Sequence, residues 1–211
     1  MKALFIFPNT EKIIMPTLPL GLSCVAAATA NAGHETVSVE LTAETDVREA
    51  VEKSIREADP DVIGISVRNI DDQDMENPKF LLEPVKRVTD ACKMFSRAPV
   101  VLGGAGYSIF PESALEYLGA DMGIQGEGEV AFPMLLECLA GRGDLAEIPG
   151  LYLRGRGLQR ERACAKNLDE LPLPVIDSWS VPATDGREIW MPVQSRRGCP
   201  MNCSYCSTPI V

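Results

Sequence analysis

The sequence predicts an α/β fold, a doubly wound, five-stranded parallel sheet followed by a small hairpin and an extended linker. Three observations carry that prediction. Five short apolar runs alternate with five helical runs over the first two thirds of the chain, the pattern that gives a parallel sheet covered by helices on both faces. The apolar runs are too continuous for strands with one wet face. Glycine-rich loops follow the fourth and fifth runs, where such sheets bind ligands beyond the carboxyl ends of their strands.

Ala3 to Phe7 is apolar throughout and stops at Pro8, which fits a strand buried on both faces. After the loop Asn9–Pro19, the stretch Leu20 to Ala30 reads as a helix whose small residues allow close packing on a sheet, and Gly33 is placed to end it. Thr36 to Leu41 alternates as a second strand. Asp46 to Ala58 places Val47, Ala50, Val51 and Ile55 at helical spacing with charges opposite. Asp61 to Val67 is the third strand, and the acidic loop Arg68–Pro78 follows it. That loop lacks the glycine and closing glutamate of a calcium loop, so it reads as solvated. Phe80 to Phe95 is a long helix with Leu81, Val85, Val88 and Cys92 inward. Pro99 to Leu102 is the fourth strand, running into Gly103-Gly104-Ala105-Gly106. Pro111 to Leu118 is a short helix with proline in its first turn. Asp121 to Gln125 is the fifth strand, followed by Gly126-Glu127-Gly128-Glu129 and a helix to about Ala140.

Beyond Gly143 the character changes. Gly150 to Arg154 and Gln159 to Cys164 form the hairpin, Leu171-Pro172-Leu173-Pro174 is a stiff linker, and Trp190 to Ser195 alternates like a strand. The expected division is an α/β domain over 1–143, hairpin and linker over 144–185, and the start of a further domain over 186–211. Cys24, Cys92 and Cys138 lie on apolar helix faces and read as packing. The single histidine, His34, precedes the second strand at the end of the sheet away from any ligand and reads as a surface residue.

The 211 residues are 45% hydrophobic and 24% charged, enough apolar content for a real core. A net charge of −10 argues against a nucleic-acid partner. Seven cysteines without a secretory leader predict a reducing compartment, the cytoplasm. No run approaches membrane-spanning length, so no membrane partner is expected.

Chemistry concentrates at Arg196-Arg197-Gly198-Cys199-Pro200-Met201-Asn202-Cys203-Ser204-Tyr205-Cys206. Three thiols in a loop broken by glycine and proline can converge on one small object. A four-iron cluster takes four ligands, so three cysteines leave one iron open. A zinc site completed by Cys164 or His34, a disulfide with one thiol left over, or a chance cluster also remain open on the residues alone.

This segment resembles the cluster loop of the radical S-adenosylmethionine (SAM) enzymes. The resemblance implies that Cys199, Cys203 and Cys206 ligate a 4Fe-4S cluster, that SAM chelates the fourth iron, and that Tyr205 lies against the SAM adenine. With the preceding α/β domain, of flavodoxin-like or Rossmann-like type, the whole chain resembles the cobalamin-binding (B12-dependent) radical SAM proteins. That implies a corrin and its nucleotide tail surrounded by Ser66, Val67 and Arg68 after the third strand, Gly103, Gly104 and Ala105 after the fourth, and Gly126, Glu127, Gly128 and Glu129 after the fifth. Many cobalamin domains carry an Asp-x-His-x-x-Gly motif whose histidine binds cobalt. This chain has Asn9-Thr10-Glu11-Lys12 there, so cobalamin is expected without a protein histidine below it, with Arg68 or Asn69 nearby.

The function implied by the resemblance is methyl transfer to an unactivated carbon. The chain stops five residues after Cys206, whereas a radical SAM barrel needs roughly another domain's length. The chain is therefore expected to be an N-terminal portion, inactive by itself. A non-catalytic corrinoid-binding module is one alternative. A radical SAM methylthiotransferase without cobalamin is another, although its three further strand-end cysteines are missing. A nicotinamide site is excluded because no G-x-G-x-x-G follows the first strand.

Overall fold

The computed structural model describes residues 1–8, 18–41, 46–72, 74–175, 192–194, 196–199, 201, 203, 204 and 206. Five strands, β1 (Lys2–Pro8), β2 (Glu35–Leu41), β3 (Val62–Ser66), β4 (Val100–Gly103) and β5 (Met122–Ile124), pair in parallel in the spatial order β2-β1-β3-β4-β5. Strand order reverses between β1 and β3, which makes their carboxyl ends the switch point where doubly wound sheets take ligands. The expected hairpin forms as β6 (Leu151–Leu153) and β7 (Gly157–Leu158), its second arm falling ahead of the expected Gln159–Cys164, which forms no strand. It does not stand apart from the sheet as expected. β6 pairs antiparallel with β5, extending the sheet to seven strands. The physical reason is that Leu151 and Leu153 point into the same apolar layer as Met122 and Ile124.

Alternation along the strands splits the core in two. Ala3, Phe5, Phe7, Val62, Val101 and Ile124 face one side, where helices α1 (Leu20–Asn31) and α6 (Gly128–Leu139) pack. Leu4, Ile6, Ile63, Ile65, Val100 and Leu102 face the other, beneath α2 (Val47–Ala58), α3 (Leu82–Phe95) and α5 (Pro111–Leu118). The helices begin and end where local chemistry directs. Asp46 caps α2 by accepting from the Glu49 N–H at 3.0 Å. After α1 the chain turns at Gly33 with φ of +87°. The small residues of α1 allow Val25 to approach Gly128 so closely that a Cβ there would lie 2.8 Å from Val25 Cγ2.

Two features differ from expectation. A further helix, α4 (Ala105–Ile109), lies in the stretch read as a glycine loop. It forms because Tyr107 and Ser108 are fully buried and draw the loop onto the sheet. His34 is buried at 7% exposure, not a surface residue. Its Nδ1 lies 3.4 Å from the Met1 ammonium, and its Nε2 is 3.3 Å from Glu137 Oε1 but outside hydrogen-bond geometry. The missing signal was α6, whose last turn covers the ring from 103 residues away in sequence, His34 to Glu137. His34 does sit at the amino end of β2, away from the switch point.

The structural cysteines behave as packing. Cys24 and Cys92 are buried, and burial pushes the Cys92 thiol up to about 12. Cys138 is half-buried at the end of α6.

Candidate functional site

At the carboxyl ends of the strands the fold opens into a crevice of about 1210 Å³, larger than the roughly 300–1,000 Å³ of ordinary small-molecule sites. Its inner part is a slot between the sheet and the pair α1 and α6. Phe5, Gly64 and Val101 form the floor on three adjacent strands, in register with one another. Leu22, Val25 and Phe132 form the roof. Residue 64 has no side chain, and the Phe5 ring takes the space above it: a Cβ there would lie 2.9 Å from that ring and 3.5 Å from that of Phe132. These two rings stand 5.0 Å apart and tilted, both buried, and close the inner end of the crevice with apolar surface.

Of the residues expected around the ligand, Ser66, Arg68, Gly103, Gly104, Ala105, Gly126, Glu127, Gly128 and Glu129 all line the crevice. Val67 lies beneath it, fully buried, and its carbonyl accepts from the Gly106 N–H at 3.0 Å. Gly104, with φ of +99°, could carry no side chain, because a Cβ would sit 2.6 Å from the Val67 carbonyl oxygen. Its glycine is thus required by the neighbouring loop before any ligand arrives. Gly103 is different: a Cβ there would meet nothing closer than 3.9 Å.

Ser108, which sequence reasoning missed, ties two of the turns together. Its hydroxyl donates to the Gly104 carbonyl at 2.9 Å and accepts from the Gly126 N–H at 2.9 Å. Gln125 donates from Nε2 to the Ser108 carbonyl at 3.0 Å.

The carboxylates of the turn after β5 are engaged within the protein. Glu127 Oε2 accepts from the Ala165 N–H at 2.5 Å, holding the segment after β7 at the crevice mouth. Glu129 is buried at 7% exposure, and its Oε1 accepts from Arg197 Nη2 at 2.5 Å. Arg197 Nη1 lies 3.5 Å from Glu127 Oε1. Burial alone would lower the Arg197 pKa. The hydrogen bond to Glu129 and the charges of both glutamates outweigh it and raise the value. The same pocket pushes the Cys24 thiol up, chiefly through burial and then through the charge of Glu129. Nothing in the sequence signals the arginine pairing, because its partners stand 68 residues apart.

Cys199 and Cys203 are half-buried and Cys206 is exposed, and none of the three is in a disulfide. Arg196, Arg197 and Gly198, just ahead of them, line the crevice. Among the described residues no three Cys, His, Asp or Glu side chains are drawn together as a metal site. Cys164, the possible fourth thiol, lies at the crevice mouth. The loop 9–17, Trp190 and Tyr205 lie outside the described residues. The acidic loop turns on itself: Asp72 Oδ1 accepts from the Lys79 N–H at 2.9 Å, which, with other backbone donors, lowers its pKa, and Asp74 Oδ1 accepts from the Glu76 N–H at 2.9 Å.

The family model described as B12 binding domain matches residues 10–136. An uncharacterized methyltransferase of Pyrococcus horikoshii is 29% identical over 100% of this chain and 46% of its own length. The hopanoid C-3 methylase of Methylococcus capsulatus is 31% identical over 98% of this chain and 39% of its own length. The chain thus spans less than half the length of these curated relatives. Among solved structures, the radical S-adenosylmethionine methyltransferase TsrM of Kitasatospora setae, with tryptophan substrate and a SAM analog, matches with a TM-score of 0.69 and 29% identity, over 76% of this chain and 30% of that one. A second structure of that protein has cobalamin and a [4Fe-4S] cluster bound.

Proposed function

We propose, from the premise that this chain belongs to the family of B12-binding domains, that its crevice holds cobalamin and its cysteine loop holds a 4Fe-4S cluster with SAM, serving methyl transfer. The observation that carries the reading is the crevice at the carboxyl ends of the strands, about 1210 Å³ and bordered by the glycine turns after β4 and β5. A corrinoid is a broad ring with a long nucleotide tail, and the site offers a wide mouth with an apolar inner end lined by Phe5, Val101 and Phe132. Three thiols ahead of an open coordination position suit an iron–sulfur cluster, and the similar TsrM structure holds one. Together these groups would supply one-electron chemistry and a transferable methyl group.

The chain's own residues bind and orient. Phe5, Val101 and Phe132 would give the ligand apolar contacts and keep water from it. Gly103 and Gly126 would let backbone come close to it, while Ser66 and Arg68 line the same crevice. Cys199, Cys203 and Cys206 would supply thiolates to the cluster. The single histidine of the sequence, His34, precedes β2 at the end of the sheet away from the crevice, so this reading gives cobalamin no protein imidazole.

The test is direct. After incubation with hydroxocobalamin and desalting, the protein should retain corrin absorbance near one per chain. Anaerobic reconstitution with iron and sulfide should load a cluster that Cys203→Ala abolishes. A desalted protein without corrin absorbance would overturn the cobalamin assignment, and a Cys203→Ala variant with undiminished iron would overturn the cluster assignment.

A further inference from the structure

The arginine two residues ahead of the first cysteine of the loop is the best-held side chain in that segment. Its Nη2 donates to Glu129 at 2.5 Å, its Nη1 lies 3.5 Å from Glu127, and its Nε donates to Gln194 at 3.1 Å. The side chain is 20% exposed, against 5% for Glu129 and 18% for Glu127. A planar fork with donors on three nitrogens suits two carboxylates presented side by side. The glutamates are themselves fixed, one at the N-cap and one in the first turn of α6, on the turn that Ser108 ties to Gly104. Glu127 also holds the Ala165 N–H.

We propose that Arg197 is a positioning residue: clasped by Glu127 and Glu129, it latches the cysteine loop onto the turn after β5 and so fixes where the three thiols stand relative to the crevice. The inference rests on reading those thiols as cluster ligands and the crevice as the corrinoid site. It assigns the two glutamates a second task, since both line the crevice and both carboxylates also meet Arg197. The pairing joins α6 to a loop 68 residues later, and removing either partner leaves a charge buried without its counter-charge.

The experiment compares the wild type with Arg197→Ala, Arg197→Lys and Glu129→Gln in the intact chain. Hydrogen exchange is followed by mass spectrometry over 192–206, with bound iron after reconstitution and retained corrin absorbance measured in parallel. Arg197→Ala and Glu129→Gln should accelerate exchange in that segment about tenfold or more, as expected for a locally opened element. Iron should fall at least about twofold, and Arg197→Lys, which keeps the charge without the fork, should fall between. Glu129→Gln is nearly isosteric and carries the test if Arg197→Ala misfolds. Exchange at wild-type rates in both variants would overturn the latch. So would a Lys variant no better than Ala in exchange and iron. If the wild type holds neither corrin nor cluster while the variants still open the segment, the latch stands and the cofactor reading fails.

Discussion

His34 shows what a single side chain can do when the sequence around it looks unremarkable. Burial is the main cause that lowers its pKa from the ordinary 6.5, the Met1 ammonium adds to it, and Glu137 opposes it. Arg142, paired with Glu137 through Nε at 2.6 Å, lowers it further. The folded protein therefore keeps the ring neutral at a pH where the unfolded chain takes up a proton. The unfolded state binds more protons as pH falls through about 6.5, so stability drops on acidification. The urea midpoint should be lower at pH 5.5 than at pH 7.5, and His34→Gln should flatten part of that difference. An unchanged pH slope in the variant would show that the imidazole contributes nothing. Sequence reasoning placed His34 at the correct end of the sheet but on the surface, because burial by Glu137 and the chain terminus is a tertiary fact.

At the scale of elements, the sheet and five of the helices could be read from apolar periodicity, and the five parallel strands form in the places expected. What escaped was short or distant. Helix α4 is five residues long and directly follows the glycine pair at 103 and 104, so no period could reveal it; its stability comes from buried Tyr107 and the Ser108 bridge. The glycines at 64, 104 and 128 were visible as residues, yet their purposes differ and depend on the neighbour each one meets. Gly128 sets the closeness of α1 to α6. Gly128→Val should force those helices apart and cost about 1–3 kcal/mol, the usual range for overpacking. The check is the urea midpoint, with Gly21→Ala as the contrast. A Cβ at Gly21 meets nothing within 4 Å, and that change should be neutral or slightly stabilising. Equal losses in the two variants would mean that the α1–α6 contact is not tight. The candidate site was legible in the same partial way: its glycine turns and cysteines could be listed, whereas the Arg197 pairing and the slot floor needed the fold.

For the whole molecule, a ligand that inserts between sheet and helices binds only the folded chain. Unfolding is then opposed by mass action, by about 2.7 kcal/mol when free ligand stands at a hundred times its dissociation constant. Hydroxocobalamin in excess should raise the thermal midpoint in proportion to the logarithm of its concentration. A midpoint indifferent to corrinoid would mean that the slot stays unfilled. The acidic surface, with a net charge of −10, should not hinder this, because the slot itself is apolar.

The antiparallel pairing of β6 and β7 has a consequence for the protein's company in concentrated solution. A bare strand at the rim of a sheet recruits other chains through its unpaired amides. Here one rim ends in a strand of two residues at a glycine turn, too short to template anything. The opposite rim, β2, is seven residues long but carries Glu35 and Glu40 along it, with Glu35 paired to Lys2 Nζ at 3.1 Å, so an approaching strand meets charged side chains. Self-association by strand addition is thus discouraged at both borders, leaving the open face of the molecule for partners that fit it.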